Sequence, residues 1–350
     1  MNQHIQRIPF LAVKLIVAGM LCSLAATHAH AQDSSVTLYG LFDTFVEMTN
    51  AGQGVTTRMA SSGLYASRIG LRGSEDIGGG NRVNFTLEDG INTNNGTAAD
   101  PTAAFNRQAW VGMSGNWGEL RIGRQNTPQF LMINRLDAFG GATMASGLDN
   151  LATYTFRVSN SVSYQTPTIA GIKAQILYGL SQSTTPQNGH GNIHVSAEYA
   201  HGPVYLGANY ERITSATAND VQSDGFFGGS YDFGTIKLFA AYHHAQDTAH
   251  LYDKDVYSVS SAYNLTPFDI VSAGYAYAYD RTSAGNDAGE VSLMIQHTLS
   301  KRTLFYATAS RIDNHNKAAF TMMGAAVAGL PLSHPGYSPA GVQLGVVHFF

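Results

Sequence analysis

Cysteine is almost absent from this 350-residue chain, whose only one is Cys22. Because Cys22 lies in a segment that we interpret below as a leader, the rest of the chain has no thiol for a disulfide framework or a nucleophile. Charged residues make up only 13%, against about 25% in soluble domains. A basic excess is also lacking: without Arg7 and Lys14 the 20 basic residues become 18, against 24 acidic ones, a net charge of −6. We therefore expect no nucleic-acid partner.

Long apolar runs are missing outside the N-terminus. The run "LIVAGMLCSLAA" follows Arg7 and Lys14 and precedes the small-residue site Ala29-His30-Ala31. This pattern predicts a signal peptide over 1–31 and a mature chain over 32–350. No later stretch reaches the roughly 18 to 20 uninterrupted apolar residues of a membrane helix. A membrane crossing by the mature chain would therefore use strands.

Alternation of apolar and polar residues recurs along the whole mature chain. In "SVTLYGLFDTFVEMT", Val36, Leu38 and Phe42 share one face while Thr37 and Tyr39 share the other. This period of two is typical of strands with two different faces. Alternation of this kind predicts an all-β fold.

Short and long connections alternate between these strands. Seven short turns fall at 75–80, 114–118, 166–171, 201–203, 232–235, 265–269 and 300–303, and eight longer loops at 50–62, 93–104, 126–153, 183–190, 214–222, 246–252, 281–288 and 314–338. They predict a 16-stranded antiparallel transmembrane β-barrel with both termini on the short-turn side. A closed sheet leaves no unpaired edge in lipid, and a barrel of this strand number encloses water.

Aromatic residues lie close to many of the turns. Examples are Tyr39, Tyr65, Trp110, Tyr164, Tyr231 and Tyr263. They fit the aromatic girdles of an outer-membrane barrel. The alternative that stays open is the general preference of aromatic residues for strands.

Five stretches resemble a known family, the general diffusion porins of Gram-negative outer membranes. They are "SSVTLYGLFD", "SRIGLRGSEDIGGG", "NRQAWVGMSGNWGELRIGRQNTP", "NSVSYQTP" and the terminal "GVVHFF". The resemblance implies an outer-membrane homotrimer without cofactor or metal, whose third extracellular loop, here about 126–153, folds inward. It also implies a water-filled channel for small hydrophilic solutes and anions, contact with outer-membrane lipid and lipopolysaccharide, and recognition of Phe350 by the barrel-assembly machinery.

Porins of this kind place basic side chains on the pore wall opposite acidic groups of the inward loop. The resemblance carries these wall positions onto Arg68, Arg107 and Arg157. Alternation agrees for Arg68, which opposes Ile69, and for Arg157, which opposes Val158. An arginine at the midplane of the lipid face would cost about 2 to 4 kcal/mol. Candidates nearer the exit are Arg72 and Arg82.

The acidic side of the predicted constriction departs from the commoner pattern. The loop reads "DAFGG", so that Asp137 stands one position before the glutamate of some members, and it also carries Arg135 and Asp149. The resulting ring is weighted towards positive charge. Because charged rings set the ion preference of a pore, we expect anion selectivity despite the negative net charge.

Two other functional classes compete with a diffusion channel. An enzyme is not expected, because no histidine lies in a nucleophile or metalloprotease motif. A substrate-specific channel for a sugar or an organic acid stays open, since alternation alone does not reveal a binding ladder in the pore.

Overall fold

The computed structural model describes residues 35–141, 143–180, 191–214, 221–249 and 251–350. The predicted signal peptide over 1–31 lies outside the described residues. So do the loop predicted at 183–190 and residues 215–220 of the loop predicted at 214–222. Among the described residues, no helix is long and apolar enough to cross a membrane.

Strands dominate the described chain. They are β1 Ser35–Asn50, β2 Val55–Ser61, β3 Arg68–Gly78, β4 Asn81–Asn92, β5 Thr97–Ala98, β6 Gln108–Gly115, β7 Gly118–Asn126, β8 Arg157–Gln165, β9 Ile172–Gly179, β10 Asn192–His201, β11 Val204–Thr214, β12 Val221–Asp232, β13 Ile236–Asp247, β14 Asp253–Asn264, β15 Asp269–Asp280, β16 Ala288–Ser300, β17 Thr303–Asn314 and β18 Ala340–Phe349. Two helices, α1 Pro128–Arg135 and α2 Gly147–Leu151, lie between β7 and β8. Because β2 and β3 form two halves of one barrel strand, and β5 is a small hairpin on β4, the barrel has 16 strands, as predicted.

The first and last strands close the barrel. Strand β18 is antiparallel to β1, from Leu41 opposite Phe349 to Asn50 opposite Ala340. The other edge of β1 pairs with β2 and β3. The described strands therefore form a continuous ring, in which each backbone ladder finds a partner.

Alternation along β1 separates the lumen from the outer surface. Leu41, Phe45 and Glu47 are buried inside, whereas Val46 and Met48 are 38% and 46% exposed on the outside. An apolar outer face is what lipid requires, because the hydrocarbon offers no hydrogen-bonding partner. The seven predicted short turns connect adjacent strands at one end of the barrel.

The aromatic girdle prediction was wrong for three residues. Tyr65 lines the space beside Arg68 in the lumen. Tyr39 lies opposite Gly70 with its hydroxyl on the inward Glu88, and Trp110 lies opposite the buried Thr86. Both face the lumen, because their positions in the register match inward residues of β3 and β4. Their nearness to turns alone did not reveal this orientation.

The second barrel strand is interrupted, which the sequence did not predict. The predicted loop 50–62 contains strand β2, and residues 62–67 turn into the lumen instead. The Asp43 carboxylate accepts hydrogen bonds from the backbone N–H groups of Leu64 and Tyr65 at 2.6 and 2.7 Å and from the Tyr306 hydroxyl at 2.8 Å. Leu64 is 1% exposed and packs near Phe139 of the long loop.

Candidate pore constriction

The connection between β7 and β8 begins as a capped helix. Pro128 occupies the start of α1, where its missing N–H is not needed. The preceding Thr127 accepts a hydrogen bond from the Phe130 N–H at 3.2 Å through its hydroxyl, the usual role of an N-cap. This cap fixes the direction in which the chain leaves the wall.

The loop then crosses the lumen to the far wall. The Gln129 side-chain oxygen accepts a hydrogen bond from the Asn209 side-chain amide on β11 at 2.6 Å. Further along, the Ala138 N–H donates to the Ser260 hydroxyl on β14, and the Ala138 carbonyl accepts from the Ser272 hydroxyl on β15, each at 3.1 Å. These contacts fold the loop inward, so that it divides the lumen at this level.

A shared carboxylate brings two of the predicted wall arginines together. Glu88, 4% exposed on β4, accepts a hydrogen bond from Arg107 Nε at 2.8 Å and lies 3.4 Å from Arg68 Nε. The Tyr39 hydroxyl donates to the same carboxylate at 3.0 Å. Register explains this cluster, because Glu88 lies opposite Gly70, which has no side chain to cover it. The single Glu88 carboxylate is therefore shared by two guanidinium groups, and their positive charge exceeds its negative charge.

Arg157 reaches the same region from the other end of the loop. Its guanidinium carbon lies 5.5 Å from the centre of the Phe130 ring on α1, and its Nε is buried without a hydrogen-bonding partner among the described residues. The alternation argument used for Arg157 was wrong, because Val158 is 4% exposed instead of facing lipid. The alternation fails here because the pairing of β7 with β8 contains a register shift and because Asn160 has a positive φ of 51°.

A space of about 250 Å³ lies between this wall and α1. Arg68, Glu88 and Arg107 line it from the wall, and Phe130 and Asn134 line it from the loop. A passing solute would meet guanidinium groups on one side and a mixed aromatic and amide surface on the other.

The loop carboxylates lie away from the arginines. Asp137 accepts hydrogen bonds from the hydroxyls of Ser146 and Ser260, and Asp149 accepts one from the Tyr154 hydroxyl at 3.2 Å. Both acids are 6% exposed and face the wall formed by β14 to β16. Burial raises the pKa of Asp137 to about 6 and that of Asp149 to about 8. Asp149 is therefore largely protonated at neutral pH.

Arg135 is also separate from the arginine cluster. Its Nη1 lies 3.1 Å from Glu198 on β10, and its guanidinium carbon lies 5.6 Å from the centre of the Tyr205 ring. Lys173 contacts the same glutamate at 3.2 Å. The structure thus places Arg135 against the neighbouring wall, where it shares one carboxylate with Lys173.

The two candidates nearer the exit lie on the same wall as Arg68. Arg72 is exposed to the lumen, with its guanidinium carbon 5.1 Å from the centre of the Tyr39 ring. Arg82 lies closer to the β3–β4 turn, where its Nε donates to the Ser74 hydroxyl at 2.8 Å and its Nη1 lies 3.9 Å from Asp76.

The last loop, residues 315–339, contributes to the site although no sequence pattern indicated this. The Met323 N–H donates to the Asn150 side-chain oxygen of the inward loop at 2.8 Å. Arg58 Nη2 donates to the Ala328 carbonyl at 2.9 Å, and Ala325 lines the space beside Arg68. The mouth is therefore narrowed by two loops in contact.

Across the described ranges, no group of three or more His, Cys, Asp or Glu side chains is arranged to hold a metal ion. A closed antiparallel barrel of 16 strands with an apolar exterior and a charged, loop-narrowed interior defines the class of membrane diffusion channels.

Comparison with known proteins gives the family. The model of the Gram-negative porin family matches residues 17–317, and the chain belongs to that family. It is a porin of the outer membrane.

Two curated relatives and one solved structure support this assignment. Outer membrane porin protein 32 of Delftia acidovorans is 29% identical over 348 residues, covering 94% of this chain and 98% of the relative. An outer membrane porin protein of Bordetella pertussis is 30% identical over 269 residues, covering 67% of this chain and 69% of the relative. The structure of an anion-selective porin from Comamonas acidovorans superimposes with a TM-score of 0.79 at 27% identity, covering 91% of this chain and all of the other.

Proposed function

We propose that this porin prefers anions and that Arg68, Arg107 and Arg157 set the preference. The observation that carries the proposal is the single carboxylate, Glu88, shared by Arg68 and Arg107. Three arginines against one glutamate leave a formal excess of two positive charges around the narrow space. The anion selectivity of the similar Comamonas acidovorans porin supports the same assignment.

The loop acids do not cancel this excess. Asp137 and Asp149 are buried against the far wall, and burial raises the pKa of Asp149 to about 8. Permeation samples the field within the constriction, where low-dielectric walls focus it, and not the charge of the whole surface. A negative net charge is therefore compatible with anion preference.

Purified protein in a planar lipid bilayer under a KCl gradient tests the proposal. The reversal potential is expected to have the sign of the chloride equilibrium potential. Replacing Arg68, Arg107 and Arg157 together with glutamine should shift it towards the potassium equilibrium potential. A wild-type reversal potential on the cation side would overturn the anion preference. An unchanged reversal potential in the triple variant would mean that the constriction lies at other residues.

We further propose the assembly and export properties that accompany this function. The chain forms a homotrimer without enzymatic activity, contacts lipopolysaccharide, is cleaved after Ala31, and presents Phe350 to the barrel-assembly machinery. Electrophoretic mobility before and after boiling tests the trimer, and mass spectrometry of the mature protein tests the cleavage. A Phe350→Ala variant should show reduced outer-membrane content at equal synthesis.

A further inference from the structure

The lumen contains a second cationic surface beyond the constriction, on the short-turn side. Arg72 is four residues along β3 from Arg68 and shares its inward face, since alternate residues of a strand point the same way. Its partner in the described chain is the Tyr39 ring, at 5.1 Å from the guanidinium carbon, and no carboxylate within ion-pairing distance balances it there. Arg72 is thus an exposed, uncompensated guanidinium on the pore wall.

A space of about 360 Å³ opens directly beside this guanidinium. Thr37, Asn84 and Thr86 line it with hydroxyl and amide groups, and the half-exposed Trp110 indole borders it. Glu119 also borders the space, with its charge paired to Arg121. The register places Arg72, Thr86 and Trp110 in one row across β3, β4 and β6. The aromatic surface and the uncompensated cation therefore lie side by side.

The neighbouring arginine has a different role. Arg121 lies over the Trp110 ring at 4.3 Å and is paired with Glu119 at 2.7 Å. Its charge is compensated, and its contact holds the indole in place. Arg72 remains the residue available to an anion.

These groups match one class of ligand. A guanidinium binds a carboxylate through paired hydrogen bonds, to which nearby hydroxyl and amide donors add. An indole contributes stacking and edge contacts to a planar group. Weak binding suits a channel, because a solute must leave each site as readily as it enters.

The two cationic surfaces are continuous. The Tyr39 hydroxyl donates to Glu88 in the constriction while its ring lies below Arg72. An anion that has passed Arg68 therefore meets Arg72 next on its way to the periplasm.

We propose that the space lined by Arg72, Thr86 and Trp110 is a binding subsite for small planar carboxylates on the periplasmic side of the constriction. The inference rests on the proposed anion preference and adds the substrate class to it. Benzoate, with its flat ring, fits the subsite. Cyclohexanecarboxylate has the same charge and a similar size but no flat face.

Single-channel chloride currents measured with each of the two acids added to the bath test this inference. Benzoate is expected to reduce the wild-type current at a lower concentration than cyclohexanecarboxylate. Arg72→Gln should raise the half-blocking concentration of benzoate about tenfold, the ratio that corresponds to about 1.4 kcal/mol. Trp110→Leu should remove the difference between the two acids.

Lys237→Gln is the matched control, because it removes a positive charge that also lies over an aromatic ring, Phe239 at 5.1 Å, but on β13 and away from the residues that line the space. It should leave the benzoate block within about twofold of wild type. Equal block by the two acids in wild-type protein, or no change in Arg72→Gln, would overturn the subsite. The KCl reversal potential of the same channels reports the anion preference separately, so that a failed subsite and a failed constriction give different results.

Discussion

Replacing Glu88 with glutamine removes the negative charge that Arg68 and Arg107 share. The new side chain retains an oxygen that accepts from Arg107 Nε, so the hydrogen bond observed at 2.8 Å has a substitute. The formal positive excess around the constriction rises from two charges to three. We therefore expect the Glu88→Gln variant to be more anion-selective than wild type.

The size of the effect follows from the geometry. Arg68 Nε lies 3.4 Å from the Glu88 carboxylate, and an anion in contact with Arg68 adds about 4 Å, for a separation of about 7 Å. At the dielectric constant of water, one unit charge at that distance contributes about 0.6 kcal/mol. Because anions gain and cations lose this amount, the chloride-to-potassium permeability ratio should rise about sevenfold.

The assay is the reversal potential in a KCl gradient, with Glu47→Gln as the matched control. Glu47 is also an inward glutamate, 4% exposed, and it pairs with Arg58 at 2.6 Å outside the cluster. The control should shift selectivity much less than Glu88→Gln. Folding of both variants is checked by heat-dependent mobility. A folded Glu88→Gln channel with an unchanged or lower permeability ratio would refute the reasoning.

Three further predictions concern the inward loop. Arg135→Gln should change the reversal potential less than the arginine cluster variants do, because Arg135 does not line the narrow space beside Arg68 and Arg107 and lies against Glu198 instead; an equal change would place Arg135 in the constriction. Asp149→Asn should leave the wild-type reversal potential unchanged at pH 7. Because burial raises the Asp149 pKa to about 8, its contribution to loop stability is complete below the ordinary value of 3.8 and is lost as the pH rises through about 8. Limited proteolysis of the loop should therefore accelerate as the pH rises from about 4 to about 8 in wild type and level off above pH 8, and it should not follow this pH dependence in Asp149→Asn. Asn150→Ala removes the hydrogen bonds to Glu290, both at 3.0 Å, and should increase open-channel current noise at unchanged selectivity, which single-channel recording measures; unchanged noise would mean that other contacts hold the loop.

The strand framework could be predicted because it follows local rules. Alternation along β1 placed Val36, Leu38 and Phe42 on one face, and all three are exposed on the outer surface. Short polar turns marked the strand ends. Local patterns do not reveal the pairing register of two strands, and Trp110 was therefore assigned to the wrong face. Whether Trp110 lies opposite Thr86 depends on the register between β4 and β6.

The arrangement of the site required contacts between distant parts of the chain. Local alternation does not reveal that Glu88 bridges Arg68 and Arg107, because the three residues come from separate parts of the chain. The orientation of Asp137 was equally hidden, because it depends on Ser260, which is far away in the sequence. The role of each predicted constriction residue in selectivity stays a prediction.

The contact between the last loop and the inward loop subjects one segment to two kinds of selection. Residues 315–339 connect two strands at the end of the barrel opposite the short turns, and long surface loops of this kind usually tolerate sequence variation. Yet Met323 hydrogen-bonds to Asn150 of the inward loop, and Ala328 hydrogen-bonds to Arg58 on β2. A substitution in this loop therefore also alters the mouth of the pore, so that variation of the loop is limited by the solutes that the channel must admit.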